Sequence, residues 1–320
     1  MKKVAAALVG LGVSAAAPAQ ASYWEDATDA CLGTTAGWTS KVEVGDVDGD
    51  TWPDIILANG GDYASGGTPE LTQIFRNTGD WDGPGPACED ITADVLGAEP
   101  GLVRSAKLAD VDGDGDQDLF LAGAWHTASR LIRRDLDGWT DISDGLPAGV
   151  LSVGDAEFGD VDADGDLDLV LADAGADDPF DGGYQGGRVR LWLGDGDGGF
   201  TDATSTNMPT DLVAWSWDLE VVDVTGDFQP DVLVSCKLCD GSVVYQNSHG
   251  VFSPLAGAIP AASNNYEFEA MDVDGDGDLD LATINDGGGL KDRLLINSGF
   301  GTFLDQTAAR LAGAANPGED

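Results

Sequence analysis

Residues 110–118 read Asp-Val-Asp-Gly-Asp-Gly-Asp-Gln-Asp, and the same spacing returns at 46–54, 160–168, 223–231 and 272–280. Aspartates stand at positions 1, 3, 5 and 9 of each stretch, except that Thr225 replaces the third-position Asp of the fourth copy. Apolar runs follow, among them Ile55-Ile56-Leu57, Leu119-Phe120-Leu121, Leu169-Val170-Leu171 and Val232-Leu233-Val234. Segments such as Lys41-Val42-Glu43-Val44 and Asp218-Leu219-Glu220-Val221-Val222 come before. Short apolar and β-branched runs of this kind form strands, so each acidic stretch is a loop between two strands. The first aspartates lie 64, 50, 63 and 49 residues apart, which makes the unit an internal repeat.

Two more landmarks complete the unit. A third strand is legible at Gln73–Asn77, Val189–Leu193 and Leu294–Asn297. An aromatic-x-Asp-x-Ser/Thr segment follows at Trp139–Ser143, Phe200–Thr204 and Phe303–Thr307, with weaker copies at Cys88–Thr92 and Phe252–Ala256. Four strands per unit, Gly-rich turns and no convincing helix predict an all-β propeller, with five blades expected and six or seven with degenerate units as the alternative. Residues 22–320 form one domain, with a short tail from about 311. A sixth copy of the outer segment, Trp24–Thr28, precedes the first loop. It offers a closing strand for the last blade and competes there with Phe303–Thr307.

The loops have the chemistry of a calcium cage. Side chains at positions 1, 3, 5 and 9 and the carbonyl at position 7 supply hard oxygen ligands. The ligand sets are Asp46, Asp48, Asp50, Trp52 and Asp54; Asp110, Asp112, Asp114, Asp116 and Asp118; Asp160, Asp162, Asp164, Asp166 and Asp168; Asp223, Thr225, Asp227, Gln229 and Asp231; and Asp272, Asp274, Asp276, Asp278 and Asp280. An EF-hand needs Glu at position 12 between helices, whereas position 12 is Leu57, Leu121, Leu171, Val234 or Thr283 and the flanks are strands. Gly115, Gly165 and Gly277 suit a sharp turn at position 6, where the other loops carry Thr51 and Phe228. Up to five Ca²⁺ ions are expected, the weakest at Asp223–Asp231, where a carboxylate is missing.

With Gly45–Asp50, Asn77-Thr78-Gly79 and Phe200–Thr204 in view, the units resemble FG-GAP or VCBS repeats, the blades of integrin α-subunit propellers, and bacterial relatives of cartilage acidic protein. The resemblance covers nearly all of residues 22–320. It implies calcium in the hairpin between the first two strands of a blade. Integrin-like propellers have seven blades, against five loops here.

Composition bounds the rest. The chain has 320 residues, 58 acidic side chains and a net charge of −43, which excludes nucleic acid as a partner. Hydrophobic residues make up 42%, enough for a core. Lys2 and Lys3, the apolar run Val4–Ala17 and Ala19-Gln20-Ala21 read as a signal peptide over 1–21, so a periplasmic or extracellular protein is expected. No later stretch is apolar enough to span a membrane. An even cysteine count in an exported chain predicts the pairs Cys31–Cys88 and Cys236–Cys239.

No nucleophile elbow, zinc-protease motif or P-loop occurs, and His126 and His249 read as loop histidines. Some polysaccharide lyases resemble such propellers. The expected function is thus an interaction or adhesion module for extracellular protein or glycan, monomeric and without catalysis. A polysaccharide lyase or hydrolase is the alternative. Trp215, Trp217, Trp38 and Tyr266, with Arg104 and Ser152 at matching offsets, are either blade packing or an aromatic rim at one channel mouth; Asp181–Gly187 is a candidate binding loop. Glu43, Glu157, Glu220 and Glu269, with Lys107 in the remaining unit, stand three residues before the loops. They are expected either as separate backbone caps or as a ring around the axis, beside Val44, Leu108, Phe158, Val221 and Ala270 as buried neighbours.

Overall fold

Short strands of branched and aromatic residues, cut by Asp- and Gly-rich turns, can bury their apolar faces only by stacking one sheet against the next. In the computed structural model they do so as five four-stranded antiparallel blades around a central channel. The structure describes residues 26–33, 36–62, 65–83, 85–175, 186–238, 241–261, 264–285 and 292–311. Blade 1 is β1 (Thr39–Gly45), β2 (Asp54–Asn59), β3 (Gln73–Asn77) and β4 (Cys88–Asp90). Blade 2 is β5 (Val103–Ala109), β6 (Asp118–Gly123), β7 (Arg130–Asp135) and β8 (Gly138–Asp141). Blade 3 is β9 (Val153–Gly159), β10 (Asp168–Asp173), β11 (Val189–Gly194) and β12 (Phe200–Asp202). Blade 4 is β13 (Leu219–Val222), β14 (Asp231–Val234), β15 (Val243–Ser248) and β16 (Val251–Pro254). Blade 5 is β17 (Asn265–Met271), β18 (Asp280–Asn285), β19 (Arg293–Asn297) and β20 (Phe303–Asp305). Strands within each blade pair in sequence order.

One expectation is corrected: short helical turns exist. They are α1 (Thr28–Cys31), α2 (Thr92–Leu96), α3 (Thr204–Asn207), α4 (Thr307–Arg310) and a 3₁₀ turn at Ser143–Gly145. The aromatic-x-Asp-x-Ser/Thr segment makes them. Asp26, Asp90, Asp141, Asp202 and Asp305 each accept the backbone N–H two residues on, at 2.9–3.0 Å. In four blades the following hydroxyl then accepts a third-strand N–H, as Thr92 does from Ile74 and Thr307 from Leu294. Blade 5 therefore takes Phe303–Asp305 as its own fourth strand, and the sixth copy does not replace it. Trp24 and Glu25 lie outside the described residues, as do residues 1–23 and 312–320. The end of the sixth copy becomes α1, which a Cys31–Cys88 disulfide fastens to β4 of blade 1.

Apolar clusters join blades 1 to 2, 2 to 3, 3 to 4 and 4 to 5. Among the described residues none joins blade 5 to blade 1. The second loop residue shows the difference: Val47, Val111, Val161 and Val224 are 0–3% exposed, but Val273 of blade 5 is 40% exposed. On the opposite side, Val42 of β1 is 56% exposed, while its register equivalents Ala106, Ala156, Leu219 and Phe268 are 0–3% exposed. Val44, expected to be buried, is exposed for the same reason: no apolar cluster of the described residues covers it on that face of β1.

Candidate calcium loops and the acidic channel

All five loops share one backbone design. The ninth-position aspartates, Asp54, Asp118, Asp168, Asp231 and Asp280, are buried at the start of each second strand. One oxygen of each accepts the N–H of the second loop residue, at 2.8–3.1 Å. The other accepts an N–H at the end of the third strand, from Asn77, Arg134, Gly194, Asn247 or Asn297, at 2.7–3.0 Å. The carboxylate thus pins loop to sheet. First-position aspartates accept the N–H of position 6. That bond requires the expected sharp turn, and position 6 is left-handed in every loop, including Thr51 and Phe228.

Four loops gather carboxylates around a common point. Asp46, Asp48 and Asp50; Asp110, Asp112 and Asp118; Asp160, Asp162 and Asp168; and Asp272, Asp274 and Asp276 each bring one oxygen within 4.8 Å of the others. A second group in blade 2, Asp112, Asp114 and Asp135, includes a third-strand residue that the loop spacing does not reveal. The loop at Asp223 forms no such group among the described residues, as the loss of its third-position carboxylate predicts. In the two loops whose clusters reach position 9, Asp110 Oδ1 and Asp160 Oδ1 are buried without a hydrogen-bond partner. An orphaned buried carboxylate oxygen is costly unless a cation meets it, so the donor set fits a hard divalent ion. Burial, reinforced by neighbouring loop carboxylates, pushes Asp118 and Asp168 up to about 6.

Two features escape the loop pattern. Arginines reach the loop carboxylates: Arg76 lies 3.4 Å from Asp48, Arg133 3.6 Å from Asp112, Arg134 3.5 Å from Asp116 and Arg310 2.9 Å from Asp274. Third-strand ends also tie one blade's loop to the next. Asn247 Nδ2 donates to Val161 O of blade 3 at 2.7 Å and to Pro230 O of its own loop at 3.0 Å. Asn297 Nδ2 does the same with Val224 O and Leu279 O, at 2.8 and 3.0 Å. Arg134 takes this place in blade 2 and donates to Asp48 O of blade 1. The signal was present as an Asn repeated at the end of third strands; only its partners needed a structure.

The repeated glutamates form the ring rather than separate caps. Glu43, Glu157, Glu220 and Glu269 line one central cavity of about 600 Å³ together with Lys41, Lys107, Asp218 and Glu267. Lys107 pairs with Glu157, as a counter-ion inside the ring should. Burial, then Asp218, Glu157 and Glu269, push Glu220 up to about 8; burial pushes Glu157 to about 7 against the pull of Lys107. Lys41 crosses from blade 1 to Asp155 of blade 3 at 2.6 Å and Asp218 of blade 4 at 3.1 Å. Burial works against its ammonium, but the two carboxylates hold its pKa above the ordinary lysine value.

Trp215 and Trp217 are buried at the end of the channel away from the loops. Their ring centroids lie 5.4 Å apart, Trp217 stands 5.9 Å from Tyr266, and the Arg104 guanidinium stacks 3.4 Å over Trp217. Of the two readings, packing holds for these rings; Trp38 is exposed and Ser152 buried. Cys236 is disulfide-bonded, and Cys239 lies outside the described residues, as do 181–185 of the candidate binding loop. His126 and His249 sit in turns with left-handed backbone.

The FG-GAP-like repeat family model matches residues 110–171 and 160–234. No curated protein matches the chain. Among solved structures, a lectin of Agrocybe aegerita, described as recognising non-reducing terminal N-acetylglucosamine, is 20% identical with a TM-score of 0.47 over 83% of this chain and 65% of that one. The biofilm matrix protein of V. cholerae is 18% identical with a TM-score of 0.46 over 83% of this chain and 39% of that one. The chain thus spans less than two thirds of the length of either. The repeat match spans blades 2 to 4, and the same loop, pin and turn recur in blades 1 and 5: the chain is a five-bladed β-propeller of FG-GAP-like repeats.

Proposed function

We propose that this chain is an exported, calcium-loaded interaction module that presents its loop face to extracellular protein or glycan and carries no chemistry of its own. The observation that carries the calcium reading is the repeated carboxylate cluster, with an orphaned buried oxygen in the Asp110 and Asp160 loops. The signal-like residues 1–21 and the Cys31–Cys88 disulfide support export. Exposed aromatic side chains on the loop face, Trp52, Trp81, Phe228 and Phe300, support an interaction role.

Calcium acts structurally in this reading. Each site filled at ten times its dissociation constant adds about 1.4 kcal/mol by mass action. Four or five sites together approach the net stability of an ordinary domain. Chelation should therefore lower the melting temperature of the mature chain by well over 10 °C, at about 2–4 °C per kcal/mol for a large domain. Calorimetry should show uptake of four or five ions by the stripped protein. An unchanged melting curve in EDTA together with no uptake would sink the calcium reading. Pull-down from matrix and cell-surface fractions, with and without calcium, tests the interaction role.

A further inference from the structure

The fourth loop departs from its four sisters in several ways at once. Thr225 removes the third-position carboxylate, and the loop gathers no cation cluster among the described residues. Phe228 stands at the sixth position, left-handed with φ of 67°, where three sisters carry Gly and the first carries the much smaller Thr51. A bulky side chain there is strained. It recovers none of this by packing, because Phe228 is 96% exposed. A strained residue whose ring lies in water gives the fold nothing, and a local rule broken without structural return marks a functional position.

The neighbourhood extends the patch. The hairpin of blade 5 comes against this loop: Gly226 approaches the Gly299 carbonyl, and Thr225 lies beside Gly301. At the tip of that hairpin Phe300 is 77% exposed. On the other side, the exposed His249 occupies a left-handed turn and donates its N–H to Gln229 Oε1 of the loop at 2.6 Å. Two exposed phenylalanines and a histidine therefore lie on the Asp223–Asp231 loop and the segments that adjoin it.

The charge of the occupant follows from the sister loops. Three of them set one of the chain's own guanidiniums against the third-position carboxylate: Arg76 on Asp48, Arg133 on Asp112 and Arg310 on Asp274. No such ion pair is found for Asp223 or Asp227 among the described residues. Asp223 and Asp227, with neither a cation cluster nor an ion pair among the described residues and with exposed aromatic rings beside them, match a cation carried on an apolar stem: ion pair to the aspartates, cation–π and stacking contact to the rings. The net charge of −43 steers such a partner in.

We propose that the face formed by Phe228, Phe300, His249, Asp223 and Asp227 is a docking site for a basic polypeptide segment bearing Arg or Lys beside apolar residues. It rests on the interaction-module reading and names the partner's chemistry.

The probe is a fluorescein-labelled dodecapeptide of alternating Arg and Leu, titrated by anisotropy against the mature, calcium-saturated chain in about 0.15 M salt, where long-range attraction is screened. A dodecapeptide with Glu for Arg is the control. Phe228→Gly and Phe300→Ser should each weaken binding at least fivefold, and the pair at least twentyfold. Phe228→Gly should at the same time keep or raise the melting temperature, because it relieves the left-handed strain. A purely structural phenylalanine would move the two readouts the other way. Binding that both variants leave unchanged overturns the proposal, as does a neutral oligosaccharide whose binding needs Phe228 while the peptide's does not. Calcium uptake measured on the same samples separates this failure from failure of the calcium module itself.

Discussion

Glu220 offers a direct test of the channel. Its carboxyl stands half-buried among Asp218, Glu157 and Glu269 and is pushed up to about 8 from an ordinary 4.5. Below pH 4.5 it is protonated in both folded and unfolded chains and contributes no difference. As pH rises towards 8, the unfolded carboxyl ionises while the folded one holds its proton, so the native state loses stability across that window. The full shift is worth ~5 kcal/mol. Channel water and side-chain relaxation reduce this to roughly 1–2 kcal/mol. Glu220→Gln removes the penalty: the variant should match the parent at pH 4 and exceed it by about 1–2 kcal/mol at pH 8.5, with most of the divergence between pH 5 and 8. Urea unfolding of both chains at four pH values, each at saturating calcium, reads the difference directly, and loop protonation cancels in the comparison. A gap independent of pH, or a variant less stable at pH 8.5, would refute the crowded-carboxylate account.

Other outcomes follow from the same geometry. Lys41→Met strips the counter-ion from buried Asp155 and Asp218 and should cost about 3–5 kcal/mol in denaturant unfolding, far beyond a surface lysine. Asn297→Ala leaves the Val224 and Leu279 carbonyls without their donor; it should cost about 1–3 kcal/mol and weaken calcium uptake by the Asp272 loop without touching the loops of blades 1 and 2. Val273→Cys should react with a maleimide within minutes under native conditions, while Val224→Cys, its equivalent one blade earlier, stays protected. Equal protection of the two would show that blade 5 is covered in solution.

The loops and strands were legible because both signals are local. Aspartates at fixed spacing name the turns and the carboxylates that gather there, and apolar runs on either side name the strands. The Glu ring was legible as well, since four equal offsets in a repeat must fall at equal positions around an axis. What escaped depends on pairing between repeats. Lys41 has no repeat equivalent, and nothing in Thr39–Gly45 says that it crosses to blades 3 and 4. Asn247 and Asn297 look like ordinary strand-end residues until their amides are seen on the preceding blade's loop. The helical turns were missed because one turn held by an Asp side chain is too short to leave a periodic pattern. Val44 was misplaced because burial depends on what the next blade brings against it, and among the described residues no apolar cluster joins blade 5 to blade 1 there.

The bare seam between blades 5 and 1 has a further consequence. With four apolar interfaces joining five units among the described residues, those units are linked like a linear array bent round. Interior units of such an array have two stabilising neighbours and terminal units one, so fraying starts at the ends. Amide exchange should accordingly reach β17–β20 before β9–β12. At the other end the array is finished off: α1, riveted to β4 through Cys31–Cys88, serves blade 1 as a terminal cap serves a solenoid. Loss of either cysteine should thus be felt first as loosening of blade 1, with the interior blades holding.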